Sequence, residues 1–177
     1  GQGFLRSLVE EGGYLPEGQR ALILGAGGAA RAVAWTLAGA GIAELLILNR
    51  TVARAESLAD AIARGGGSSA GALAPGDPRT AARIAGCTLV VNATSIGLDP
   101  KDRLPIDPIL LRPGMLVYDL VYRPRETSLL REAKRRGCRV QDGLGMLVHQ
   151  GALAFELWTG RHPPLEAMRA ALVAALA

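Results

Sequence analysis

The sequence predicts an α/β fold built on a parallel sheet. Short β-rich apolar runs alternate with amphipathic helical stretches, and several of those runs are apolar throughout, as strands buried on both faces must be. No fixed-period repeat is present, and 177 residues hold one full domain while excluding a second of ordinary size.

Arg20 to Leu24 (RALIL) reads as the first strand, followed by a helix over Gly28 to Ala40 in which Ala30, Val33, Ala34 and Leu37 recur at helical spacing. Glu44 to Leu48 (ELLIL) is the second strand. Thr51 can cap the next helix, whose apolar face is Ala55, Leu58, Ala59 and Ile62, and Gly65, Gly66, Gly67, Ser68 and Ser69 end it. A third strand falls over Ala70 to Leu73, with Pro75 and Pro78 in the loop beyond and a short helix near Arg79 to Ile84. Thr88 to Val91 (TLVV) and Leu116 to Tyr118 (LVY), each between turn signals, are the fourth and fifth strands. Glu126 to Arg136 is helical and Arg139 to Gln141 is a short sixth strand. Two closing helices, Met146 to Trp158 and Leu165 to Leu176, are separated by Pro163 and Pro164.

Hydrophobic residues at 49% and charged residues at 20% are ordinary for a globular protein. No apolar run reaches the roughly 18 residues of a membrane span and no signal peptide is recognisable, so the expectation is a soluble, cytoplasmic protein without a membrane partner. Cys87 and Cys138, two residues far apart, cannot build a disulfide scaffold or a four-cysteine zinc site, and no metal is expected. A net charge of +4 with pI near 9.6 raises the question of a nucleic-acid partner. The densest basic cluster, Arg131, Lys134, Arg135, Arg136 and Arg139, spans a helix end, where cations suit the dipole, and no aromatic residues interleave for base stacking. No nucleic-acid partner is expected.

Gly25, Gly27 and Ala30 fit G-x-G-x-x-A between the first strand and its helix, which specifies the α/β class as a Rossmann-type doubly wound parallel sheet of about six strands with closing C-terminal helices. The first glycine allows the tight turn, the second lets the backbone approach a pyrophosphate, and free N–H groups at the helix start face the anion. The plain alternative is a tight turn without a ligand, but glycine near a helix start costs about 1 kcal/mol without such a use. An NAD site usually carries Asp or Glu about 20 residues further on, on the ribose hydroxyls. Here the second strand ends in Asn49, Arg50 and Thr51, with Arg54 one turn later. A carboxylate would repel a 2′-phosphate, whereas arginine can pair with it, so the expected cofactor is NADP. Otherwise the two arginines are solvent-facing helix-start residues. Asn92 to Gly97 (NATSIG) forms a small polar turn at the carboxyl end of the fourth strand, where open α/β sheets bind ligands, although such residues also simply make turns.

Together Gly25 to Arg31 (GAGGAAR), Asn49 to Thr51 with Arg54 (NRTxxR), Asn92 to Gly97 (NATSIG), Tyr118 to Pro124 (YDLVYRP) and Asp142 to Gln150 (DGLGMLVHQ) resemble the shikimate dehydrogenase family, specifically its C-terminal NADP-binding domain. The resemblance runs in order from Gly1 to about Gly160, continuing through Gly151 to Gly160 (GALAFELWTG); the last helix is generic. It implies reversible hydride transfer between NADP and the hydroxyl-bearing carbon of shikimate, with 3-dehydroshikimate as the oxidised partner, in aromatic amino-acid (chorismate) biosynthesis. It also implies that Gly25, Ala26, Gly27, Gly28 and Ala29 hold the pyrophosphate and that Asn49, Arg50, Thr51 and Arg54 hold the adenosine 2′-phosphate. Thr94 and Ser95 would meet the middle of the cofactor, Leu120 and Gly143 its nicotinamide end, and Tyr122 and Gln150 the substrate. Whether quinate is also accepted and whether the protein is a homodimer stay open.

By the same resemblance, the proton-transferring lysine and its partner aspartate belong to a substrate domain or the segment joining it to this one. That aspartate sits in an Asn-Thr-Asp motif just before the stretch that Gly1 to Leu8 (GQGFLRSL) matches. The only lysines here, Lys101 and Lys134, match neither role. Residues 1–177 therefore read as the cofactor half of an oxidoreductase, a piece without its substrate domain, with no catalytic residue of its own and inactive in isolation. Two rivals remain: another NADP-dependent Rossmann reductase, such as a glutamyl-tRNA reductase domain with its own Asn-Arg-Thr element, and a freestanding NADP-binding regulatory module. The Tyr122 and Gln150 motifs argue against the first. His149, beside Gln150, reads as a partly buried helix residue rather than a catalyst, and Asp119 and Asp142 read as loop-holding carboxylates rather than bases. Tyr122 is either the substrate-contacting phenol or a packed loop aromatic.

Overall fold

A computed structural model describes residues 1–65, 67–99 and 101–176; Gly66, read above as part of the stretch that ends a helix, Pro100 and Ala177 lie outside the described residues. The chain runs α1 (Gln2–Glu10), β1 (Arg20–Leu24), α2 (Gly28–Gly39), β2 (Glu44–Leu48), α3 (Val52–Gly65), β3 (Ser69–Leu73), α4 (Thr80–Ile84), β4 (Leu89–Asn92), a 3-10 turn (Pro108–Leu110), β5 (Leu116–Asp119), α5 (Ser128–Arg135), β6 (Arg139–Gln141), α6 (Leu144–Thr159) and α7 (Leu165–Leu176). The described strands form one all-parallel sheet in the order β3-β2-β1-β4-β5-β6. The expected doubly wound class is therefore the fold observed. No helix among the described residues is long and apolar enough to cross a membrane.

Alternation along the strands divides the core. Ala21, Ile23, Leu45, Ile47, Leu89 and Val91 meet the apolar stripes of α2 and α3 on one face of the sheet. Leu22, Leu24, Leu46, Leu48 and Val90 meet Ile84 of α4 and Leu129, Leu130 and Ala133 of α5 on the other. A strand with apolar side chains on both faces is stable only between two helical layers, which is why ELLIL and LVVN carry almost no polar residue. Burial on this scale contributes roughly 1.5 to 3 kcal/mol for each large apolar side chain.

Helix α1 has no counterpart in the sequence reading. Its Phe4, Ser7 and Leu8 are buried at helical spacing, with the Phe4 ring 5.0 Å from that of Tyr118. Gly3 makes the packing possible, because a Cβ there would stand 2.8 Å from the Gln150 backbone nitrogen and 2.9 Å from the Met146 carbonyl of α6. Two starts also move. Helix α5 begins at Ser128 rather than Glu126, because the Thr127 hydroxyl accepts from the Leu130 N–H at 3.3 Å and caps it. Helix α6 begins at Leu144, two residues early, with the Asp142 carboxylate accepting from the Leu144 N–H at 3.1 Å.

Candidate functional site

The strand order reverses between β1 and β4, and the loops leaving their carboxyl ends part there to open a cleft. At its floor Gly25 adopts φ +105°, and its N–H donates to the Leu48 carbonyl at 2.8 Å. A Cβ at Gly25 would stand 3.0 Å from Thr94 Cγ2 and 3.1 Å from the Ala93 carbonyl oxygen, so the turn needs glycine for its conformation and for its close approach. Gly27 and Gly28 differ from it. Neither has positive φ, and a Cβ on either would meet nothing within 4 Å, so the backbone of this helix start faces open space. Free amides there attract an anion.

Three cavities meet around this turn. One of about 430 Å³ is lined by Ala26, Gly27, Gly28, Arg31, Ala53, Arg54 and Ser57. A second, of about 600 Å³, shares Arg54 with it and is walled by Gly25, Asn49, Arg50, Thr51, Thr94, Ser95 and Arg103. The third, about 680 Å³, shares Thr94 with the second and is lined by Ala29, Leu120, Val121, Tyr122 and Arg123. No Asp or Glu lines any of the three, and Arg31, Arg50, Arg54 and Arg103 form no ion pair among the described residues. Several cations around one cleft without a counter-charge repel one another, an arrangement that an anionic ligand relieves. Within the second cavity Asn49 organises its own turn, Nδ2 donating to the Thr51 carbonyl at 2.8 Å.

A buried polar hub holds the β4 side of the cleft. Asn92 and Asp119 are register partners on β4 and β5 and both are fully buried. Asn92 Nδ2 donates to Asp119 Oδ1 at 2.9 Å and to the Ile96 carbonyl at 3.0 Å. Asn92 Oδ1 in turn accepts from the Thr94 N–H at 3.1 Å and hydroxyl at 2.7 Å, while Thr94 Oγ1 accepts from the Ile96 N–H. Asp119 also accepts from the Val121 N–H at 3.1 Å and from the Thr127 hydroxyl at 2.7 Å. Burial pushes the Asp119 carboxyl above the ordinary carboxylate range, against the pull of its three donors. Every polar atom of this carboxylate is committed to structure, which supports the loop-holding reading and places Thr94 by a chain of hydrogen bonds from β5.

The remaining residues divide. Gly143 caps α6 and lies so close to the Leu120 carbonyl that a Cβ would fall on it, so the α6 start and the β5 exit are one packed unit. Tyr122 is exposed in the third cavity beside Arg123, whose bond to Pro124 is cis. Gln150 is exposed on α6 but lines none of the three cavities, and the structure does not bring it together with Tyr122 in one pocket. His149 is buried and faces away: its Nε2 lies 3.0 Å from Glu11 and 3.7 Å from Glu10 of α1, and Arg169 of α7 also reaches Glu11 at 2.6 Å. It fastens helices. Asp142 holds Arg125 Nε at 2.9 Å as well as the Leu144 N–H, again a loop-holding role. Arg31 and Arg103 were missed by the sequence reading. Arg31 belongs to the GAGGAAR run that already marked this loop, whereas no local pattern brings Arg103 to Arg50.

Two family models match the chain, that of shikimate/quinate 5-dehydrogenase over residues 11–74 and that of the shikimate 5′-dehydrogenase C-terminal domain over residues 143–173. The chain is 52% identical over 169 residues to the NADP(+) shikimate dehydrogenase of Moorella thermoacetica, covering 95% of this chain and 57% of that protein. Shikimate 5-dehydrogenase of Listeria monocytogenes, solved with shikimate and NAD, superimposes with a TM-score of 0.89 at 35% identity, over 97% of this chain and 61% of that one. The Thermus thermophilus enzyme, solved with NADP(H) and shikimate, gives 0.82 at 42% identity over 99% and 61%. The chain thus spans about 60% of the length of the proteins it is similar to.

Proposed function

The chain belongs to the shikimate dehydrogenase family, and from that premise we propose that it is the NADP-binding half of an oxidoreductase that interconverts 3-dehydroshikimate and shikimate. The observation that carries the cofactor choice is the second cavity, where Arg50, Thr51 and Arg54 line a wall without a carboxylate. An NAD site has its ribose-binding acid in that position. Gly25 and Ala26 shape the turn, and the open amides of Gly27, Gly28 and Ala29 receive the pyrophosphate. Asn49 holds the Thr51 turn while Arg50 and Arg54 take the 2′-phosphate. Thr94, fixed by Asn92, and Ser95 border the middle of the cleft. Leu120 and Gly143 place an apolar wall at the nicotinamide end, next to Tyr122. NADPH, when bound, supplies the hydride.

Tyr122 and Gln150 are the groups assigned to the substrate, each with an exposed side chain. Asp119, Asp142 and His149 are each engaged in structural contacts, and in the proposed division of labour the 177 residues bind and position the cofactor without completing the reaction. The purified chain is expected to bind NADP and to produce no NADPH from shikimate, measured by absorbance at saturating NADP. Steady production would overturn the division of labour. Arg50→Ala should weaken NADP roughly tenfold while leaving NAD nearly unchanged, as loss of one charge-assisted hydrogen bond implies. Equal losses for both cofactors would show that Arg50 does not read the phosphate.

A further inference from the structure

Arg103 comes from neither of the motifs that hold the other cations of the cleft. It lies in the loop between β4 and the 3-10 turn, yet lines the second cavity with Arg50, Thr51 and Arg54. The loop places it by two anchors. On one side, the Asp102 carboxylate turns back and accepts from the Gly97 N–H at 2.8 Å and the Asp99 N–H at 3.3 Å, while the Asp102 N–H donates to the Asp99 carbonyl at 2.9 Å. Asp102 is therefore engaged by backbone and makes no ion pair with its neighbour Arg103. On the other side, Ile106 is buried and Leu104 packs partly buried against the α4 and α5 face of the core. Between a hydrogen-bonded turn and two core residues, Arg103 is carried at the cavity wall with its guanidinium unpaired among the described residues. Arg103, Arg50 and Arg54 thus line one cavity with exposed side chains, where a multiply charged anion can pair with more than one guanidinium.

We propose that Arg103 is a third reader of the adenosine 2′-phosphate, positioned over the cavity by the Asp102 turn. The inference rests on the NADP reading above and adds to it a specificity residue from the loop that follows β4. Stacking of the guanidinium on the adenine face would be a different role with a different signature.

Titration of the purified chain with 2′,5′-ADP and with 5′-AMP separates them, because the two probes differ by the 2′-phosphate alone. Arg103→Ala should weaken 2′,5′-ADP about tenfold, the loss of one charge-assisted contact at a solvent-accessible site, and leave 5′-AMP unchanged. Asp102→Ala, with Arg103 intact, should lose a smaller factor for the same probe only. Wild-type 2′,5′-ADP binding should weaken with salt more steeply than that of Arg103→Ala. Equal losses for both probes, or no loss for either, would overturn the proposal. If the wild-type chain itself fails to prefer 2′,5′-ADP, the NADP reading falls with it; if the wild type and Arg50→Ala behave as expected and Arg103→Ala does not, this inference falls alone. Thermal melting of each variant verifies that it is folded.

Discussion

Asp119→Leu is expected to destabilise the chain by about 3 kcal/mol or more and to release the β4 turn from its place in the cleft. The replacement leaves the Val121 N–H and the Thr127 hydroxyl without their acceptor and removes one of the two partners of Asn92 Nδ2, all in a buried setting. Each buried group left unpaired costs roughly 1 to 3 kcal/mol. The loss should extend to NADP affinity, because Asn92, itself held by Asp119, accepts from both the Thr94 N–H and its hydroxyl. Asp119→Asn is the milder companion and reports on charge. Because burial raises the carboxyl pKa in the folded state, the folded chain holds this proton more tightly than the unfolded one. Stability contributed by Asp119 therefore falls as pH rises from its ordinary value of 3.8 through the raised one. The non-titrating Asn variant should lack that decline, measured as the difference in denaturant midpoint between acidic and neutral pH. A Leu variant as stable as wild type would show that the hub is incidental.

Gly25→Val and Gly27→Ala should part company, although both change the same glycine fingerprint. At Gly25 a β-branched residue meets a φ of +105°, a cost of order 1 to 3 kcal/mol, and drives its Cβ against Thr94 and the Ala93 carbonyl. Stability and NADP binding should both fall, the binding by roughly 100-fold, which corresponds to about 2.8 kcal/mol. At Gly27 the backbone is extended and an added methyl meets nothing within 4 Å. The fold should tolerate it. The pyrophosphate should not, because the methyl would occupy the space through which the backbone approaches it, and a loss of tenfold or more in NADP affinity is expected at an unchanged melting temperature. If Gly27→Ala binds NADP as wild type does, the open amides are not the anion site.

The sheet was legible because its evidence is local: an apolar run such as RALIL or ELLIL needs both faces covered, and the glycine turn between them leaves few alternatives. The third strand, SAGAL, carries almost no β-branched or large residue, so its pairing with β2 is a tertiary decision only faintly written in the segment. Helix α1 went unread for a similar reason. Gly3 looks like a helix breaker until α6 stands against it, and its value lies in the absent Cβ. Gly145 hid the first turn of α6 in the same way. Of the residues that line the second cavity, Gly25, Asn49, Arg50 and Thr94 lie at or just beyond strand ends and were legible as candidates, whereas Arg103 arrives through a returning loop held by Asp102. The partner that buries His149 is α1, far away in sequence, so its exclusion from the cleft became visible only in three dimensions.

The measurement that bears most directly on the account is a calorimetric titration of the wild-type chain with NADP and, separately, with NAD under identical salt. Arg50 and Arg54, which form no ion pair among the described residues and line a cavity with no Asp or Glu among them, predict that NADP binds at least about tenfold more tightly, a difference of about 1.4 kcal/mol. Equal affinities, or a preference for NAD, would contradict it.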